Sequence, residues 1–105
     1  SSKEKPKNSQ KMELVTVHDT NYDLIELFID PDLYAGGASL SSLALPTDVS
    51  VTMISRKDKI LAPRGNSIIK PGDVLTILAE EDKISQVTDS ILSRFDEAKA
   101  EEKKA

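Results

Sequence analysis

The chain has 105 residues, enough for one small domain and too few for two. It carries no cysteine and one histidine, His18, so disulfides, thiolate metal sites and multi-histidine metal sites are excluded. Its net charge of −4 argues against a nucleic-acid or anionic-membrane binder, which needs a basic excess, and aromatics at 4% leave an aliphatic core.

Residues 1–11 hold four lysines, one glutamate and no large apolar side chain. Such a stretch cannot repay its ordering entropy and reads as a disordered linker or a remnant of a longer chain. It lacks the apolar run of a secretory signal, and no window reaches 18 apolar residues, so no membrane-spanning helix is expected. Residues 12–17 read as a short strand or an extended lead-in, with His18 among polar neighbours as an exposed imidazole.

The first clear strand is 24–29. Ile25, Leu27 and Ile29 share one face; Leu24, Glu26 and Phe28 share the other. Pro31, between Asp30 and Asp32, ends it. Gly36 and Gly37 signal a turn, after which Ser39 is the N-cap of a short helix through Leu40, Leu43 and Ala44, stopped by Pro46. Residues 49–55 alternate: Val49, Val51 and Met53 point one way, Ser50, Thr52 and Ile54 the other. Arg56, Lys57, Asp58 and Lys59 form a charged turn into a return strand, Ile60, Leu61 and Ala62, although no glycine supplies a positive φ. Pro63 to Asn66 breaks that strand, and Ser67, Ile68 and Ile69 lead into Lys70, Pro71, Gly72 and Asp73. Proline presets the first corner of a type II turn and glycine supplies the positive φ of the second. Residues 74–79 are a strongly apolar strand. Glu80, Glu81 and Asp82 suit a helix N-terminus, and Ile84, Val87, Ile91, Leu92 and Phe95 form one stripe at helical period. Residues 96–105 are Ala, Glu, Asp and Lys only, a charged tail expected to fray.

The order predicts an α+β fold. It has two layers: a mostly antiparallel four-stranded sheet, with a short helix after the first strand and a C-terminal helix packed on the sheet.

This spacing resembles the TrkA-C domain, also called RCK_C, the C-terminal regulatory module of potassium channel and transporter gating proteins. The residues that carry the resemblance are Ala35, Gly36, Leu40, Leu43, Leu45, Val49, Val51, Ile54 and Arg56, followed by Ile60, Pro63, Gly65, Ile68, Gly72, Asp73, Leu75 and Leu78. With the strand at 24–29 and the closing helix, the resemblance covers about residues 22–95. Gly37 stands where the family often has lysine, the turn at Lys57 and Asp58 lacks the usual glycine, and Ala79 replaces a glycine that often ends the fourth strand.

Candidate chemistry is sparse. Gly72 and Asp73 read as turn residues, with Asp73 bonding backbone N–H groups of its own turn. Gly36 and Gly37 lack the spacing of a phosphate-binding loop. Ser39, Ser41 and Ser42 have no histidine near them in the chain to act as base, so no catalytic residues are assigned. The acidic groups Asp30 with Asp32, and Glu80 with Glu81 and Asp82, lack the ligand count of a dedicated cation loop, and no metal site is assigned. The segment from Pro63 to Asn66 is either a surface turn with a solvated arginine or an anion-contacting loop.

The resemblance implies a non-enzymatic regulatory domain over residues 12–95, flanked by the linker 1–11 and the tail 96–105. It implies a homodimer on the cytoplasmic side of the cell membrane, part of a potassium or cation/proton antiport system. The chain would then be a fragment from the C-terminal end of a membrane transporter. It also implies a small effector between two copies, cyclic di-AMP or a cation in some members. Two other readings stay open: the same module on a chloride-channel-type or carboxylate transporter, and a purely structural dimerisation domain. The expected ligand site is formed by Ile60, Leu61, Arg64 and Asn66. Ile60 and Leu61 would wall a flat base, Arg64 would meet a phosphate and Asn66 would orient the ligand. Arg56, Lys57, Lys59 and Arg64 are the local positives available to an anion.

Overall fold

The computed structural model describes the backbone of residues 12–17 and 20–104 and the side chains of residues 21–97. The expected linker 1–11 and His18 lie outside the described residues. Among the described residues, seven strands, β1 (Met12–Val17), β2 (Thr20–Phe28), β3 (Ala38–Ser39), β4 (Ser50–Arg56), β5 (Lys59–Leu61), β6 (Ile68–Ile69) and β7 (Val74–Glu80), precede one α-helix, α1 (Ile84–Lys104). Five strands form one sheet in the order β1-β2-β7-β4-β5, antiparallel throughout, and β3 pairs with β6 in a small second sheet. The α+β class and antiparallel sheet are as expected. The fifth strand of the main sheet is β1, which reads only weakly in sequence but pairs along β2 from Met12 to Val17.

The central strand β7 is held on both sides. Ile25 pairs with Ile77 and Leu27 with Leu75, so Leu75, Ile77 and Ala79 share a face with Ile25 and Leu27 and are fully buried. Onto this face pack Val87, Ile91 and Phe95 of α1, the expected stripe. Tyr34 and Phe95 meet with ring centroids 6.1 Å apart in a tilted arrangement.

Strand β4 departs from strict alternation. A bulge between Val51 and Met53 leaves Thr52 without a partner in the register, and its hydroxyl donates instead to the Thr76 carbonyl at 3.3 Å. One extra residue reverses the side-chain parity. Val51 and Ile54 therefore both enter the core, while Met53, expected to face with Val51, lies opposite Thr76 on the other face.

The turns are built as their residues dictate. Ser39 caps a single 3-10 turn at Leu40–Leu43, its Oγ accepting from the Ser42 N–H at 3.2 Å. Lys57 adopts φ 55°, so the β4–β5 hairpin takes its left-handed residue from lysine rather than glycine. Gly37 lies so close to β6 that a Cβ would stand 2.8 Å from the Ile69 carbonyl oxygen, which explains glycine there in place of a longer residue. In the turn at residues 70–73, the Asp73 N–H donates to the Lys70 carbonyl at 3.0 Å and Gly72 has φ +97°. Gly72→Ala should cost about 1 kcal/mol, because the space around it is open and only the backbone conformation is strained. An unchanged urea midpoint would contradict this.

Helix α1 begins after a 3-10 turn at Glu81–Lys83 and runs past Phe95 to Lys104. Alanine, glutamate and lysine carry enough intrinsic propensity to continue a helix already nucleated by packing. The side chains of the tail from residue 98 lie outside the described residues. No helix among the described residues is long and apolar enough to cross a membrane.

Candidate functional site

The hairpin β4–β5 closes one edge of the main sheet, and the loop from Pro63 to Ser67 folds back beneath it. That loop is fixed from two directions. Within it, the Arg64 N–H donates to Ser67 Oγ at 2.9 Å and the Ser67 N–H to the Arg64 carbonyl at 3.0 Å. From outside, the Leu40 N–H donates to the Ser67 carbonyl at 2.8 Å and the Ser41 N–H to the Gly65 carbonyl at 3.0 Å. The loop is thus ordered by backbone bonds and leaves its side chains available.

Between hairpin, loop and β6 lies an open cavity of about 420 Å³. Ile60, Leu61 and Arg64 line it, together with Arg56, Ser67 and Ile68. Ile60 is 63% exposed and Ile68 48% exposed, so the cavity has an apolar rim in contact with water. Asn66 is exposed and does not line it. Arg64 also borders a second cavity of about 390 Å³ shared with Leu45, Val49 and Val51. A third, of about 410 Å³, lies beside Arg56, Lys57, Asp58, Lys59 and Leu61.

Arg56 holds the site together. Its Nε and Nη2 donate to the two carboxylate oxygens of Asp73, each at 2.8 Å, and Nη2 also donates to the Ile68 carbonyl at 2.8 Å. Asp73 is almost wholly buried and accepts in addition from the Lys70 N–H at 2.8 Å. The Asp73 role within its own turn was expected; the arginine partner was not. This bond to Asp73 raises the pKa of the Arg56 guanidinium and keeps it charged, outweighing partial burial. Arg56 is therefore half committed to structure, in contrast to Lys57, Lys59 and Arg64, which form no ion pair among the described residues. An arginine ending one strand and an aspartate opening its neighbour were the signal, visible once β4 is known to pair with β7.

The far end of the core has its own tie. Lys83 bridges Asp48 at 2.9 Å and Glu80 at 3.0 Å, which raises the Lys83 pKa and lowers that of Asp48. The Asp48 contribution is present above the ordinary carboxylate range and is lost as pH falls through the lowered value. Burial raises the Tyr34 phenol, with the Asp96 and Asp30 charges adding to it. Among the described residues, no group of three or more His, Cys, Asp or Glu side chains could hold a metal ion.

Comparison with known proteins agrees with this layout. The Trk system potassium uptake protein TrkA homolog of Archaeoglobus fulgidus is 28% identical over 76 residues, 72% of this chain but 17% of that protein. The chain thus spans only a small part of that relative's length. The TrkA-C domain model matches residues 24–92, from within β2 to within α1, and encloses every residue of the cavity and the Arg56–Asp73 pair. The chain belongs to the TrkA-C domain family, a family of non-catalytic regulatory modules.

Proposed function

We propose that this domain is the dimerising, ligand-sensing regulator of a membrane cation transport system, of potassium or cation/proton antiport type, on the cytoplasmic side of the membrane. The observation that carries the reading is the TrkA-C match over residues 24–92, which takes in β4, β5, β7 and most of β2. The archaeal relative's name, a potassium uptake protein, supports potassium as the transported ion.

The geometry supports the dimer. Phe28, Val74, Ser55 and Ile60 stand in register across four strands, on the sheet face opposite α1. Phe28 is 52% exposed, and the partly buried Leu24, Met53 and Leu78 lie on the same face. This face, apolar at Phe28, Val74 and Ile60 and interrupted by Ser55 and Glu26, suits an interface, and a two-fold axis would use the same patch on both copies. An effector at that interface would meet Ile60, Leu61 and Arg64 from each protomer, with Asn66 standing outside the cavity, and a doubled set of this kind suits a two-fold symmetric dinucleotide such as cyclic di-AMP.

Light scattering should report a dimer, and Phe28→Glu should shift it to monomer. A monomer at high concentration in the wild type would overturn the dimer. Calorimetry with cyclic di-AMP should give heat with the wild type and at least about tenfold weaker binding in Arg64→Ala. No heat with the wild type would overturn the nucleotide, and equal binding by both would remove Arg64 from the site.

A further inference from the structure

We infer that the outer edge of β2 is a docking site for the chain's own lysine-rich segment. Residues 7–11 continue β1 along that edge as far as Phe28, and Lys5 and Lys7 then meet the acidic corner of Asp30, Asp32 and Asp96. The docked arm is held by backbone pairing and by charge, and salt loosens it. It lies outside the TrkA-C match, which begins at residue 24, and it needs neither an effector nor a second protomer.

β2 spans Thr20–Phe28, but its register with β1 starts at Met12 opposite Leu24. Residues 25–28 therefore extend past the described part of β1. Successive residues of an antiparallel strand turn their backbone groups to alternate sides. Ile29 turns toward β7: its N–H donates to the Asp73 carbonyl at 2.9 Å, and its carbonyl accepts from the Gly72 N–H at 2.6 Å. Phe28 thus turns its N–H and carbonyl to the outer edge. Ile25 and Leu27, opposite the fully buried Ile77 and Leu75, stay only partly buried. A strand on this edge would pair the Phe28 backbone and cover that flank, which is how exposed strand edges are commonly closed.

Direction and charge name the occupant. β1 runs antiparallel to β2, so a chain carried straight back from Met12 heads toward Phe28. Without a shift, the Met12–Leu24 register sets Gln10 opposite Glu26 and Asn8 opposite Phe28, and brings Lys7 level with Ile29, beside Asp30. Five residues at about 3.4 Å each span about 17 Å, the length of β2 left over. Pro6 has no N–H and ends a ladder at that point. Residues 1–11 hold four lysines against one glutamate. Asp30, Asp32 and Asp96 form no ion pair among the described residues. Asp30 and Asp96 share one corner, since both charges act on the Tyr34 phenol and add to the upward push of burial. The Asp32 N–H donates to Asp30 Oδ1 at 2.8 Å, which fixes the turn that presents them. Alone, the lysine-rich stretch cannot repay its ordering entropy. Against an edge already fixed as a strand, only one partner has to be ordered, and backbone bonds and opposite charges repay it. The charges are exposed, so screening weakens them.

The chain has no cysteine, so Asn8→Cys gives a single position for a nitroxide label on the full 105-residue chain. In nitrogen-15 NMR at about 50 mM salt, the amide signals of residues 26–33 should broaden more than those of residues 48–50 at the opposite end of the sheet. About 1 M salt should cut that broadening at least about twofold. Lys5→Glu with Lys7→Glu should remove most of it and leave the signals of the core in place. A second measurement needs no label: the Phe28 amide should exchange with solvent at least about tenfold faster in the double variant than in the wild type. No preferential broadening at residues 26–33 at low salt, together with a Phe28 amide that exchanges equally fast in both, would overturn the docking. Broadening undiminished by the double variant and by salt would overturn the role of charge. Labelled nitrogen-14 chain mixed with unlabelled nitrogen-15 chain should show no broadening; broadening there would assign the arm to a second copy and overturn docking within the chain. None of these outcomes depends on cyclic di-AMP or on the Phe28→Glu dimer test.

Discussion

Phe95→Ala should lower the stability of the domain by about 3–5 kcal/mol, enough to remove most of what a domain of this length possesses. Phe95 is fully buried. Its ring fills the space where α1, Tyr34 and the buried face of the sheet meet, and the neighbours belong to a sheet and a helix that cannot close the gap by moving alone. The tilted contact with Tyr34 is lost as well. A fall in Tm of at least about 10 °C is expected for a loss of this size. Phe95→Leu, which keeps most of the volume, should recover more than half of the loss. A Tm unchanged by Phe95→Ala would show that α1 does not contribute to the core.

Arg56→Ala should cost about 2–4 kcal/mol, a little less than breaking a wholly enclosed ion pair, since Arg56 is 30% exposed. The damage is asymmetric. Removing the arginine leaves the Asp73 carboxylate, 1% exposed, with only the Lys70 N–H to answer its charge. Asp73→Ala deletes the buried charge and leaves an arginine that water can reach, so it should be the milder of the two. Urea unfolding of both single variants and the double variant measures the coupling directly. A coupling energy near zero would mean that the pair only coexists with the fold and does not secure it.

Much of the main sheet could be read from local pattern. The two faces of β2 separate by simple alternation of Ile25 and Leu27 from Leu24 and Phe28, and the α1 stripe repeats at helical period over three turns. The turn before β7 is announced by Pro71 and Gly72 because each fixes its own backbone angles. What escaped has physical reasons. The bulge at Thr52 involves no residue that local sequence marks as special, yet it reverses Met53 and Ile54. The ladder of Ala38 and Ser39 with Ile69 and Ile68 is too short to show any period. β2 begins at Thr20, four residues before the apolar run, because β1 lies alongside and supplies hydrogen bonds that polar Asn21 and Tyr22 do not advertise.

The site divides in the same way. Ile60, Leu61 and Arg64 are near neighbours in the chain, and a single hairpin with its following loop brings them to one cavity. The loop also carries Asn66 away from it. The Arg56–Asp73 pair joins residues 17 positions apart. It follows from the pairing of β4 with β7, a fact of topology that neither residue's neighbourhood contains.

The position of β7 also sets the order of events during synthesis. It is the last of the strands to leave the ribosome, yet it lies between β2 and β4, which make no ladder with each other. Until residues 74–80 emerge, the main sheet has only two separate pairings open to it, β1–β2 and β4–β5, and a two-stranded hairpin alone is marginal in water. Neither half can be completed alone, so the sheet closes late and in one cooperative step that depends on long-range contacts. The interval before closure is when edges of neighbouring nascent chains could pair wrongly, and it lengthens whenever translation slows between β5 and β7.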